Sequence, residues 1–136
     1  MNCPVCNNPL VILEFQNVEI DHCTKCDGIW LDGGELEILL ENSSHKTELL
    51  ASFIEDKKST EKKFKCPICR KKMEKVRCGK EENIIIDRCQ HHHGLWFDNG
   101  ELEQLMESGG LDKEDKILDL IKEMFGHKLK IKQTGV

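Results

Sequence analysis

Eight cysteines and a run of three histidines carry the chemistry of this 136-residue chain, and their spacing repeats. Cys3-Pro4-Val5-Cys6, followed by Cys23-Thr24-Lys25-Cys26, returns as Cys66-Pro67-Ile68-Cys69, followed by Cys89-Gln90-His91-His92-His93. The offset is 63 residues at the first pair and 66 from the third cysteine onward, so the second copy carries three extra residues between its halves. Two C-x-x-C pairs joined by a hairpin-sized segment bring four soft ligands together, as tetrahedral zinc requires. Cys3, Cys6, Cys23 and Cys26 make the first expected site. Cys66, Cys69 and Cys89 make the second with an imidazole. The register sets Cys26 opposite His92 and assigns the fourth ligand there, with His91 or His93 as substitutes if that knuckle is remodelled.

Four protein ligands leave a metal no open position for water or substrate, so the two zinc ions are expected to be structural. A C-P-x-C pair can also be a redox dithiol. Here each pair has a partner pair, and no thioredoxin-like βαβ pattern surrounds it, which favours metal. Iron of the rubredoxin type also suits the four thiolates of the first site, whereas the histidine at the second leans towards zinc. Cys78 stands apart from both sets and is expected to be an incidental thiol.

Each second pair leads into a further repeated stretch. Gly28-Ile29-Trp30-Leu31-Asp32-Gly33-Gly34-Glu35-Leu36 is matched by Gly94-Leu95-Trp96-Phe97-Asp98-Asn99-Gly100-Glu101-Leu102. Asp32 with Glu35, and Asp98 with Glu101, stand three apart ahead of apolar residues at helical spacing. That pattern fits an aspartate N-cap and a glutamate reaching back, and needs no catalytic role for the carboxylates. Trp30 and Trp96 lie between a knuckle and an apolar helix, where covering a small core is a better use for them than stacking on bases. Gly28 and Gly94 are expected to allow a backbone excursion that aims amides at the thiolates.

The elements that must hold these residues are short. Residues 10–15 and 18–22 are β-rich runs around Gln16-Asn17, and 73–77 and 83–88 repeat them around a longer turn. Helices should start near Gly33 and Asn99 and stop at Asn42-Ser43-Ser44 and Ser108-Gly109-Gly110. Leu49, Leu50, Phe53 and Ile54 mark a second helix after the first unit. Ile117, Leu120, Ile121, Met124 and Phe125 mark one after the second. Lys128-Leu129-Lys130-Ile131-Lys132 alternates as a short strand or a tail.

These elements divide the chain into residues 1–56, a basic linker 57–65, a second unit 66–110, and an amphipathic helix with a tail, 111–136. Units this small seldom bury enough apolar surface to fold alone, and a structural zinc supplies on the order of 10 kcal/mol of apparent folding free energy. The net charge of −5 conceals strong segregation. Residues 1–56 hold 2 basic and 11 acidic side chains, residues 57–80 hold 11 and 2, and residues 81–136 hold 7 and 12. Attraction to a polyanion must therefore come from the central stretch, with Lys62, Lys63, Lys65, Arg70, Lys71, Lys72, Lys75 and Arg77 as candidate phosphate contacts. No run reaches membrane-spanning length and no export leader precedes residue 3, so a reducing cytoplasm is the expected location.

At C-P-x-C followed by D-x-C-x-x-C-x-G-I-W-L-D-x-G-E-L, the chain resembles the transcription-factor-IIB-type zinc-finger family over residues 3–41 and 66–107. The second copy departs from the pattern at His92 and Phe97. The resemblance implies a small metal-stabilised α+β fold of two tandem zinc ribbons, each a β-hairpin with two zinc knuckles followed by helices. By analogy with the ribbon of a general transcription factor, it also implies association with nucleic acid or the transcription machinery. The expected function is a non-enzymatic, nucleic-acid-associated binding module working through residues 57–80. The competing expectation is an adaptor that docks a protein partner, or a second copy of itself, through the amphipathic helix at 111–125.

Overall fold

The computed structural model describes residues 1–15, 18–40, 46–79 and 83–108. Apolar and β-branched residues make strands β1 (Val11–Phe15) and β2 (Val18–His22), which pair antiparallel from Val11↔His22 to Phe15↔Val18. Strand β3 (Ile29–Asp32) adds to β2 through Asp21↔Trp30. The second ribbon repeats the three-stranded meander with β5 (Glu74–Cys78), β6 (Ile84–Arg88) and β7 (Gly94–Phe97).

The two ribbons meet edge to edge. Strands β3 and β7 pair antiparallel as Ile29↔Phe97, Trp30↔Trp96, Leu31↔Leu95 and Asp32↔Gly94. The repeat offset maps Ile29, Trp30 and Leu31 onto Leu95, Trp96 and Phe97, so this ladder is its own mirror in sequence and the ribbons are related by a local two-fold axis through the tryptophan pair. Together with β4 (Ile54–Glu55), the strands form one seven-stranded sheet in the order β1-β2-β3-β7-β6-β5-β4. Pairing at the inner edges protects two strand edges that each ribbon alone would expose.

Strand alternation then sorts the side chains. Ile29, Leu31 and Phe97 turn to one face, where they join Val18, Ile20, Val76 and Ile86 in a core closed by helices. Trp30 and Trp96 turn to the other face and pack with the metal-binding cysteines and Met73. The helices are α1 (Glu35–Leu39), α2 (Lys46–Ala51) and α3 (Glu101–Ser108). Leu36 and Leu39 from α1, Leu40 at its C-cap, and Leu102 and Leu105 from α3 are buried in the core. Among the described residues no helix is long and apolar enough to cross a membrane.

The structure corrects several expectations. Ile54 is not helical: α2 ends at Ala51, and Ile54 pairs with Arg77 on the outer edge of β5. Leu50 and Phe53 do pack against the core. Helices α1 and α3 begin at Glu35 and Glu101, two residues after the expected starts. The Gly28 amide does point at the Cys26 thiol, as expected, but neither Gly28 nor Gly94 needs a positive φ. They are glycine because each lies against the other ribbon's tryptophan. A Cβ on Gly28 would overlap the Trp96 indole, and one on Gly94 would overlap the Trp30 indole and the Leu31 carbonyl. The turn at Gln16-Asn17, the helix end at Asn42-Ser43-Ser44, Lys80, Gly109-Gly110, the amphipathic helix at 111–125 and the segment 128–132 lie outside the described residues.

Candidate metal centres

Each metal cluster is built from two knuckles whose backbone turns around a cysteine. In three of the four knuckles the same device recurs. Asn7 donates its N–H to the Cys3 carbonyl at 2.9 Å, Asp27 to Cys23 at 2.9 Å and Arg70 to Cys66 at 2.9 Å. Each donor is left-handed, with φ of 62°, 63° and 65° respectively, and directly follows the second cysteine of its pair. Amides inside the turn point at the leading sulfur: Val5 and Cys6 N–H reach Cys3 Sγ at 3.3 and 3.2 Å, and Ile68 N–H reaches Cys66 Sγ at 3.4 Å. Such N–H donors favour the thiolate form that binds metal.

The fourth knuckle closes one residue earlier. His92 donates to the Cys89 carbonyl at 3.2 Å and itself takes the left-handed conformation, φ 63°. The side chain delivered to the cluster is therefore that of His93, whose Nδ1 lies 3.4 Å from Cys89 Sγ and 3.9 Å from Cys66 Sγ. The expected ligand His92 is replaced by His93, while His91 and His92 remain exposed. The physical reason is the turn: its left-handed residue falls at 92 instead of after the ligand, so the next residue is the one presented to the cluster.

Two sets of donors result: Cys3, Cys6, Cys23 and Cys26, and Cys66, Cys69, Cys89 and His93, each with its ligand atoms within 4.8 Å of one another. All eight cysteines are free thiols. Tetrahedral zinc with Zn–S bonds of about 2.3 Å requires sulfurs about 3.8 Å apart. Cys3 and Cys26 Sγ are 3.7 Å apart, and Cys69 and Cys89 Sγ are 3.8 Å apart. Both sets fit two structural zinc ions, one held by four thiolates and one by three thiolates and an imidazole. Backbone donation from Lys71 lowers the Cys69 thiol to about 7. Cys78 differs: it is buried on the helix side of the sheet, donates to the Ile84 carbonyl at 3.6 Å, and burial pushes it up to about 12.

The shape shared by the two clusters rests on the tryptophan–aspartate pairs within each repeat. Trp30 Nε1 donates to Asp32 Oδ1 at 2.9 Å and Trp96 Nε1 to Asp98 Oδ1 at 3.0 Å, and both indoles are fully buried. The aspartates thus satisfy the indoles. Helix α1 has Gly34 at its N-cap with no side-chain cap, and Glu35 accepts from the Glu19 N–H at 3.3 Å across the sheet. Only the second unit keeps the reach-back, with Glu101 Oε1 accepting from the Asp98 N–H at 2.7 Å.

Among the candidate phosphate contacts, Lys62, Lys63, Lys65, Arg70, Lys71 and Lys72 are exposed around the second ribbon's proline knuckle. Lys75 is withdrawn from that set. Strand alternation turns it inward opposite Asp87, its Nζ 2.7 Å from Asp87 Oδ1, and it is 2% exposed. Arg77 pairs with Asp56 at 2.9 Å. Residues that carry the site without having been singled out by spacing are Phe64 and the buried aspartates Asp21 and Asp87, while spacing offers His93 only as a substitute for His92. The D-x-C that precedes each third cysteine was the available signal for the aspartates. Burial raises Asp87 to about 6 against the opposing pull of Lys75, and burial together with the Asp32 charge raises Asp21 to about 6.

A family model described as transcription factor zinc-finger matches residues 2–42 and 65–108, one match for each metal cluster. No curated protein and no solved structure gives a match.

Proposed function

The chain belongs to the transcription factor zinc-finger family, and from that premise we propose that it is a non-enzymatic module that binds nucleic acid through the cationic surface of its second ribbon. The observation that carries this is a difference between equivalent positions of the two repeats. Around the second proline knuckle stand Lys65, Arg70, Lys71 and Lys72. The first knuckle has Asn2, Asn7, Asn8 and Pro9 in their places. The bridge Lys65↔Lys72 even repeats the bridge Asn2↔Pro9, so the backbone is the same and only the charge has changed.

Neutralising the metal does not account for that charge. Four thiolates leave a zinc ion more negative than three thiolates and an imidazole do, yet the four-thiolate site is the one whose own proline knuckle, Asn2 to Pro9, contributes no cationic side chain. Exposed lysines and arginines on a rigid knuckle suit phosphate contacts, which give affinity with little choice of sequence. Closed, four-ligand metal sites supply no position for a substrate, consistent with a binding role. A reducing compartment such as the cytoplasm keeps the thiolates available to the metal.

Fluorescence anisotropy of the zinc-loaded chain with random single-stranded and duplex oligonucleotides tests the proposal. Saturable binding should weaken steeply with salt, and the Lys71→Glu/Lys72→Glu variant should lose at least about tenfold in affinity. Unchanged affinity in that variant, or no binding at low salt, would overturn it.

A further inference from the structure

The two proline knuckles, one from each ribbon, line a shared cleft of about 650 Å³. The second ribbon and the segment leading into it contribute Lys62, Lys63, Lys65, Arg70 and Lys72. From the first ribbon come Asn2, Pro4, Val5 and Asn7, none of them charged, and no carboxylate is among the described residues lining the cleft. Cys3 and Cys66 also reach it, so both metal centres stand behind its wall. A zinc ion with four thiolates carries −2 and one with three thiolates and an imidazole carries −1. Five cations outweigh that combined charge, which leaves a concave surface with net positive charge inside an acidic protein.

Among the described residues the cleft has no open aromatic platform. Both tryptophans are fully buried, and the Phe64 ring already has Lys62 Nζ 5.7 Å and Lys75 Nζ 5.3 Å from its centroid. Base stacking is therefore not what it offers. Its volume lies in the range of small-ligand pockets, which admits a few linked nucleotides and excludes the body of a duplex. We propose that this cleft seats the phosphodiester backbone of a single-stranded nucleic acid, with the second ribbon supplying the cations and the first ribbon an uncharged, amide-bearing wall. The proposal rests on the nucleic-acid function given above and adds the seat and the form of the ligand.

Val5 tests the seat without removing any cation. It is 41% exposed at the tip of the first knuckle and lines the cleft. Ile38, 42% exposed on α1, lies outside the cleft and gives a control with the same change of net charge. The probe is a labelled random-sequence single strand of roughly a dozen nucleotides, measured against the same sequence as duplex. Val5→Glu should weaken single-strand binding about tenfold while Ile38→Glu changes it by less than about twofold, Val5→Lys should tighten it, and the duplex should bind more weakly than the single strand. Zinc content of two ions per chain verifies that each variant is folded, and Val5→Lys decides the matter if Val5→Glu loses metal. Equal effects of Val5→Glu and Ile38→Glu, or duplex binding as tight as single-strand binding, would overturn the proposal. If that happens while Lys71→Glu/Lys72→Glu still abolishes binding, nucleic-acid binding stands and only the seat is wrong. If the unaltered chain binds no oligonucleotide, both fall together.

Discussion

At the scale of single residues, two side chains with near neighbours of the same type do different jobs. His93 reaches the second cluster while His92 supplies the left-handed turn beside it. His93→Ala should reduce bound zinc from two ions per chain to one, whereas His92→Ala should keep both, as read by native mass spectrometry. Retention of two ions in His93→Ala would refute the ligand assignment. Lys75 sits in a stretch of cations but is paired with Asp87 in the interior. Lys75→Ala leaves a buried carboxylate without its partner and should cost about 3–5 kcal/mol in denaturant unfolding of the zinc-loaded chain. A loss no greater than that of Lys72→Ala would show that the pair does not matter. The seven cysteine ligands were legible in the sequence because ligand spacing is set by coordination chemistry, which is local. The histidine was legible only as one of three neighbours, since a constant offset from the third cysteine conceals a turn that closes one residue early. Lys75 was not legible, because only the pairing of β5 with β6 determines which way it points.

At the scale of elements, the four hairpin strands were readable as β-rich runs but β3 and β7 were not, and the helix starts were displaced by a competing use of the same residues. Asp32 and Asp98 fit the sequence signature of N-caps, yet their carboxylates accept from the tryptophan indoles, so the helices begin two residues later. Strand β4 could not have been foreseen: two residues acquire strand character only because the edge of β5, distant in sequence, is there to receive them. Helix α3 begins with a titratable group of its own. Burial raises Glu101 from 4.5 to about 7, against the donation from the Asp98 N–H. Between those values the folded chain holds a proton that the unfolded chain has released, so the stabilisation is complete below pH 4.5 and is lost as pH rises through about 7. Glu101→Gln cannot ionise and should flatten the decline in stability of the zinc-loaded chain from about pH 5 to pH 8. Comparing the two proteins at each pH cancels the shared effect of thiolate protonation, and parallel curves would rule out the contribution. The sheet junction is equally specific. Gly28→Ala forces a methyl group into the Trp96 indole and should destabilise by about 1–3 kcal/mol, with a shift in tryptophan emission as the buried ring moves. An unshifted spectrum would show that the contact is not close.

At the scale of the whole molecule, the repeat announced two ribbons but not their junction, because the stretches that form β3 and β7 were not among the expected β-rich runs and nothing local in them states that they pair with each other. That junction carries a prediction about metal. Trp30 and Trp96 pack with cysteines of both clusters in one apolar group, so removing one zinc loosens the wall of the other site. Cys23→Ser, placed in the first cluster, should weaken zinc at the second site in a chelator competition, and an unchanged second affinity would show that the ribbons load independently. The two-fold ladder has another consequence. It is the contact that two identical ribbons on separate chains would make, with the axis passing through the tryptophan pair. In such an assembly, every substitution would appear twice, once on each side of the axis. With both copies on a single chain, inheritance no longer enforces that equality, and a lysine can arise beside one knuckle while an asparagine stays beside the other. Covalent linkage thus gave the protein a front and a back that a symmetric pair could never have acquired.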